Sequence, residues 1–328
     1  MHWLKNCRER DEEMTKVKEQ PKLKKMRFID LIYRDRYLLL MMVPFLLWYV
    51  FFYYMPMSGI LMAFKDYSPF KGLADSEWVG FKHFVEFFTE NPYAWRLIRN
   101  TLLINIYSLI FTFPLPIILA ILFNELRSKS YKTMVQTISY MPHFISSVVV
   151  AGIVVTMLSP SAGIVNQLLE KIGLQKIYFL TKPEYFRTIF ISMGAWMGTG
   201  FSSIIYTSAI CSIDESLYEA AKIDGASRFQ RLWHITLPGL IPTIAIMLLT
   251  RVGSLLEVGS DTIILLYQPI TFETADVIST YNLRMGLQSA DPQFSSATAI
   301  GLMNSVISLI LVVGANYVSK RTTEAGLF

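Results

Sequence analysis

An all-α membrane protein with six transmembrane helices is the fold class this sequence predicts, and three observations predict it. Hydrophobic residues make up 53% of the 328 residues and charged residues only 17%, a balance that soluble domains of this length rarely show. The apolar residues gather into six runs, each close to the ~20 residues a helix needs to cross a bilayer. The charges gather between the runs, and eleven of the thirty Lys and Arg precede the first of them.

Residues 1–36 are polar and mixed in charge, with Lys22, Lys24, Lys25, Arg27, Arg34 and Arg36 crowding toward the first run. They read as a cytoplasmic tail ending in an interfacial helix, with residues 37–328 as the transmembrane domain. No cleavable signal peptide is expected, because the charged stretch is far longer than a signal's n-region. The first span is placed at about Tyr37 to Phe64, with Pro44 and Pro56 as bends. Between Lys65 and Asn100 the residues Trp78, Phe81, Phe84, Val85, Phe87 and Phe88 suggest an amphipathic segment on the outer membrane face.

The second span is placed at about Thr101 to Phe123 and the third at about Ser139 to Leu158. The fourth covers about Phe186 to Ile210, with Gly194, Gly198 and Gly200 as small contacts for close helix packing. The fifth runs from about Leu237 to Val258 and the sixth from about Thr298 to Val318. With the N-terminus inside, the inner segments carry nineteen Lys and Arg and the outer ones nine. This asymmetry places both termini in the cytoplasm.

Composition also excludes. The net charge of +5 reflects that topology rather than a nucleic-acid partner. Cys7 and Cys211 both fall on the cytoplasmic side, where disulfides are rare. His2, His83, His143 and His234 have no metal-ligand spacing. No Walker A sequence, nucleophile elbow, H-E-x-x-H or dinucleotide fingerprint occurs, so the chain is not expected to be an enzyme or to bind a cofactor itself.

The one long polar stretch between late spans runs from Ser212 to Pro238. Ser216 and Glu219 have capping-box spacing, and Leu217, Ala220, Ala221 and Ile223 follow at near-helical intervals. Gly225 is placed to end that helix. Ser227 and Gln230 form a second capping box, Phe229, Leu232 and Trp233 give the next helix an apolar side, and Pro238 closes the unit. A short helix, a Gly turn and a second helix at a membrane surface suit docking into a groove of another protein. An ordinary helical loop has the same local signals.

Glu219-Ala220-Ala221, Asp224-Gly225-Ala226 and Ile235-Thr236-Leu237-Pro238 resemble the EAA loop of bacterial ABC importer permeases. Phe64-Lys65-Asp66-Tyr67-Ser68-Pro69 and Trp78-Val79-Gly80-Phe81 are similar to saccharide permeases of that superfamily. Residues 276–287 and 294–302 are similar to its complex-saccharide branch, which includes alginate and pectin-oligosaccharide importers. The likeness covers the chain from about residue 30. It implies a type I importer permease fold whose coupling helix, between spans four and five, sits in a cleft of a separate ATPase. Glu219, Ala220, Ala221, Asp224, Gly225, Ala226, Leu237 and Pro238 are the coupling residues it implies. It also implies a second permease chain, two ATPase subunits that carry ATP and Mg, an extracytoplasmic solute-binding protein, and a bacterial cytoplasmic-membrane location.

The solute path is read from polar residues at membrane depth. Arg251 lies about 21 Å into the fifth span, where burying its charge costs about 2.5–3.5 kcal/mol. It should therefore face a wet cavity or an acid. Glu257 and Asn304, within the fifth and sixth spans, are further candidates for which helix-to-helix contacts are the plainer role. Tyr281 and Arg284 are candidates in the outer segment, where an interfacial belt is the plainer role for most aromatics. If Arg251 lines the path, an acidic saccharide is favoured. Two other readings compete: an ion-gradient-driven secondary sugar transporter, which leaves the Glu219 loop without a role, and a membrane scaffold without transport.

Overall fold

The computed structural model describes residues 35–256 and 259–323. The expected tail of residues 1–34 and Glu257 lie outside the described residues. The chain divides into two compact units, 1–58 and 59–328.

In the first unit, α1 (Arg36–Tyr49) carries Pro44 inside it and passes into a π turn at Val50–Tyr54. A 3-10 segment follows from Met55 to Phe64 and runs on into the second unit. These changes of helical pitch fall in the run between Pro44 and Pro56, where bends were expected. Trp48 meets Tyr49 and Tyr53 at ring distances of 5.5 and 5.2 Å.

The second unit opens with an element not anticipated from the sequence. Strand β1 (Lys65–Asp66) pairs antiparallel with β2 (Glu77–Trp78) across α2 (Gly72–Asp75). Helix α3 (Lys82–Thr89) buries His83 and Phe87 and leaves Val85 and Phe88 exposed, the amphipathic division expected there. Helices α4 (Ala94–Thr112) and α5 (Pro114–Glu125) together form a 32-residue span. It begins seven residues before the expected start at Thr101, because the polar turn from Asn100 to Thr101 is buried rather than exposed.

The third span departs from its expected form. Helix α6 (Lys129–Tyr140) ends in a 3-10 turn at Met141–Phe144, and α7 (Ser147–Leu158) leaves at 96° to it. Pro142 cannot continue the helical bonding, and the Ser146 hydroxyl accepts from the Val149 N–H at 3.3 Å to cap a new helix. Twelve residues of α7 reach only about 18 Å, short of a bilayer's ~30 Å. Among the described residues, five helices are long and apolar enough to cross a membrane, and six if this bent pair counts as one span.

After α8 (Ile164–Lys171) comes α9 (Pro183–Cys211), the centre of the unit. It packs against α4, α5 and α6. Gly200 lets the Ser139 carbonyl of α6 approach where a Cβ would stand, while Gly194 and Gly198 border a cavity instead. Helices α10 (Glu215–Ile223) and α11 (Arg228–Arg231) form the polar connection, and α12 (Leu237–Gly253) is the fifth span. Ala120, Tyr206, Ile210 and Leu240 close a core between α5, the C-terminal end of α9 and the start of α12.

The fifth span ends at Gly253, short of the expected Val258. The segment after it folds into α13 (Ser260–Leu266), α14 (Phe272–Ala275) and α15 (Ile278–Leu283), with a π turn at Arg284–Gln288. Helix α16 (Phe294–Thr323) is the last span and packs against α12 and α3.

Candidate functional site

The connection from Ser212 to Pro238 folds as two helices around a glycine turn, with different caps from those expected. The N-cap of α10 is Asp214, whose carboxylate accepts from the Ser216 N–H at 2.9 Å. That bond holds the Asp214 carboxyl below its ordinary range. Ser216 therefore lies inside the helix and forms no capping box with Glu219: an Asp two residues earlier reaches the free amides first. Gly225 takes φ +76°, with Asp224 as the C-cap. The Ala226 N–H donates to the Ala221 carbonyl at 2.9 Å and the Gly225 N–H to the Lys222 carbonyl at 3.1 Å. This is a Schellman turn. The Ser227–Gln230 capping box forms in both directions.

Pro238 does not close the unit. The chain is helical from Arg228 to Gly253, so the second helix of the pair is the first part of the fifth span. A π turn at Leu232–Thr236 precedes Pro238, which sits in the first turn of α12. Proline lacks the N–H that would donate to a carbonyl one turn earlier, and the π turn lies where that bond is missing. Leu237 is half-buried and Pro238 exposed.

Successive helical residues turn by about 100°, and this divides α10. Glu219, Ala220 and Ile223 face outward, with Ile223 86% exposed; Tyr218 and Ala221 are half-buried on the inner face. Ala221 thus belongs with Tyr218 and not with Ile223, as its spacing had suggested. Phe229 and Trp233 are exposed and stack at 6.1 Å. Exposed apolar side chains at a span's polar end, together with the exposed Glu219 of α10, form a surface suited to a protein partner.

A cavity of about 310 Å³ lies between α4, α5, α9 and α12. Thr112, Thr199, Ser202, Tyr206, Thr250 and Arg251 bring hydroxyls and one guanidinium to its wall. Arg251 Nη2 donates to Ser108 Oγ at 2.7 Å, and Ser108 in turn meets Thr112 Oγ1 at 3.3 Å. Among the described residues Arg251 has no carboxylate partner. A guanidinium has five donors, so most of its capacity is open to the cavity.

The other expected path residues are placed elsewhere. Arg284 donates to both oxygens of Asp276, at 3.2 and 2.8 Å, and Asp276 is fully buried. Arg96 approaches the same carboxylate at 3.6 Å, and Thr280 donates to it at 2.9 Å. Asn100 donates to the carbonyls of Glu273 and Asp276 and accepts from Arg187 at 2.9 Å. This knot joins α4 and α9 to the segment around α14 and α15. Tyr281 accepts from Asn91 at 2.9 Å and borders a separate cavity of about 250 Å³ with His83 and Glu86. Asn304 donates to the Leu256 carbonyl at 3.1 Å. The structure thus brings Tyr281 and Arg284 together, with the guanidinium 5.6 Å from the ring, and leaves Arg251 at a different cavity. Sequence reasoning missed Asn100, Asp276, Ser108 and Thr112, whose only signal was a polar side chain beside an apolar run.

Residues 112–324 match the family model described as the binding-protein-dependent transport system inner membrane component. The chain belongs to that family. The permease is 42% identical to Protein LplB of Bacillus subtilis (strain 168) over 90% of this chain and 92% of that one. It is 41% identical to the polygalacturonan/rhamnogalacturonan transport system permease protein YteP of the same organism, over 94% and 95%. Among solved structures it is similar to a chain of a bacterial ABC transporter involved in the import of the acidic polysaccharide alginate. The TM-score there is 0.84 at 51% identity, covering 91% of this chain and all of the other. A second structure of bacterial alginate ABC transporter, in complex with alginate pentasaccharide-bound periplasmic protein, matches at TM-score 0.84 and 50% identity over 92% and 100%. ABC-importer permease therefore stands over the ion-gradient carrier, and the type I fold is that of its structural neighbours.

Proposed function

We propose that the permease translocates an acidic oligosaccharide delivered by an extracytoplasmic solute-binding protein, with ATP and Mg bound and hydrolysed on two separate ATPase subunits. A second, homologous permease chain completes the path. Both termini face the cytoplasm, so residues 212–238 lie where an ATPase reaches them. ATPase closure pushes on α10, and the spans around the cavity turn from inward-facing to outward-facing. Glu219 pairs with a basic group of the ATPase, Ala220 permits close approach, Ala221 backs the helix on its inner face, and Asp224, Gly225 and Ala226 make the turn.

The observation that carries the acidic substrate is Arg251, a cation that has no carboxylate partner among the described residues, on a hydroxyl-lined cavity. Uronate carboxylates supply the missing acid, and hydroxyls suit sugar edges. The names of the alginate and polygalacturonan relatives support the same class. Arg251→Met is expected to cut uptake of a uronate oligosaccharide by about tenfold or more, the scale of one charge-assisted hydrogen bond. The assay is proteoliposome uptake with retained binding-protein-stimulated ATPase activity. Undiminished uronate uptake by that variant would remove the acidic-substrate reading.

A further inference from the structure

We infer that Tyr218 is the positioning residue that carries the stroke from α10 into the fifth span, through its hydrogen bond to Thr236. The inference rests on the reading that an ATPase docks on the outward face of α10. Tyr218 stands one residue before Glu219, hence about 100° around the helix. While Glu219, Ala220 and Ile223 face outward, Tyr218 turns back toward the span. Its hydroxyl and Thr236 Oγ1 share a hydrogen bond of 2.9 Å across 18 residues of sequence. Thr236 is only 4% exposed and is the last residue of the π turn that leads into α12.

A clasp is needed there because the covalent route is soft. Between α10 and α11 stands Gly225 at φ +76° with nothing within 4 Å of a Cβ built on it, so a push on α10 can be spent by pivoting at that turn. The π turn at 232–236 adds a second compliant point. Tyr218–Thr236 bridges both, from the docking helix directly to the residue that precedes α12. A second contact flanks it: Gly239 of α12 is so close to Ile213 that an added Cβ would stand 2.5 Å from Ile213 Cδ1. The Arg228–Glu125 pair at 3.5 Å does not share the task, because both side chains are about half exposed and such pairs are weak.

The test uses the whole transporter, with its second permease chain, ATPases and binding protein, in proteoliposomes fed an oligouronate. Transport per ATP hydrolysed and ATPase retained on purification are read together. Tyr218→Phe and Thr236→Val are each expected to retain the ATPase and to lose about fivefold in transport per ATP, the scale of one hydrogen bond. The double variant should lose no more than either single one, and Thr236→Ser, which keeps the hydroxyl, should couple normally. An unchanged ratio with the ATPase in place would overturn the clasp while leaving the docking reading standing. Loss of the ATPase from Tyr218→Phe would also overturn it, since the residue would then build the docking face. If the unaltered permease retains no ATPase at all, the docking reading falls and the clasp falls with it.

Discussion

Asp276 shows how a single side chain can be misread from its neighbours in sequence. Arg284 looks like a cation offered to a solute, yet its guanidinium is spent on a carboxylate with no exposure to solvent. A buried carboxylate is tolerated only when paired and fully bonded, and here Arg284, Arg96 and Thr280 supply the partners. Asp276→Asn strips the charge that two guanidinium groups are arranged around. It is expected to destabilise the permease by about 3 kcal/mol, the scale for breaking a buried pair. Thermal unfolding in detergent reads this as a lowered Tm, and an unshifted Tm would show that the knot is dispensable. Arg251 contrasts with Arg284: it has one neutral hydrogen-bond partner and a cavity in front of it.

At the scale of elements, long apolar runs were legible because their cause is local. A helix that must satisfy its own backbone in hydrocarbon needs some twenty apolar residues and little else. The five long spans follow from that, and the division of α3 into a buried face with Phe87 and an exposed one with Val85 and Phe88 follows from its local spacing. The Gly225 turn and the Ser227–Gln230 box were legible for the same reason, since caps depend on residues within one turn. The break at Ile145–Ser146 was not, because hydropathy continues across it and only Pro142 and the Ser146 cap mark the corner. Nor was the path of Pro238: a proline usually stops a helix, yet here the chain stays helical from Arg228 through a π turn at Leu232–Thr236 and past Pro238. The capping residue of α10 was misplaced because Asp214 and Ser216 are both good caps and spacing alone does not rank them. Gly225→Val tests the turn itself. A β-branched residue at φ +76° costs about 1–2 kcal/mol, so the amides of residues 224–227 should exchange faster with solvent deuterium while those of α12 stay protected. Unchanged exchange would mean that the turn does not depend on glycine.

For the whole molecule the central claim is mechanical. In the proposed function this membrane domain is driven from outside itself, through the small exposed face of Glu219, Ala220 and Ile223. Family membership and the position of α10 between spans four and five support this, and the clasp to Thr236 gives the push somewhere to go. What the chain order could not reveal is the distribution of polar groups over the assembled interior. Ser108, Thr112 and Arg251 are up to 143 residues apart and meet only once α4 and α12 pack. The most direct measurement places one cysteine at Ala220 after replacing Cys7 and Cys211 with serine. A membrane-impermeant maleimide should label it in inverted vesicles and not in intact cells, and bound ATPase should shield it. Labelling from the outer side, or labelling that the assembled ATPase leaves unchanged, would contradict the account.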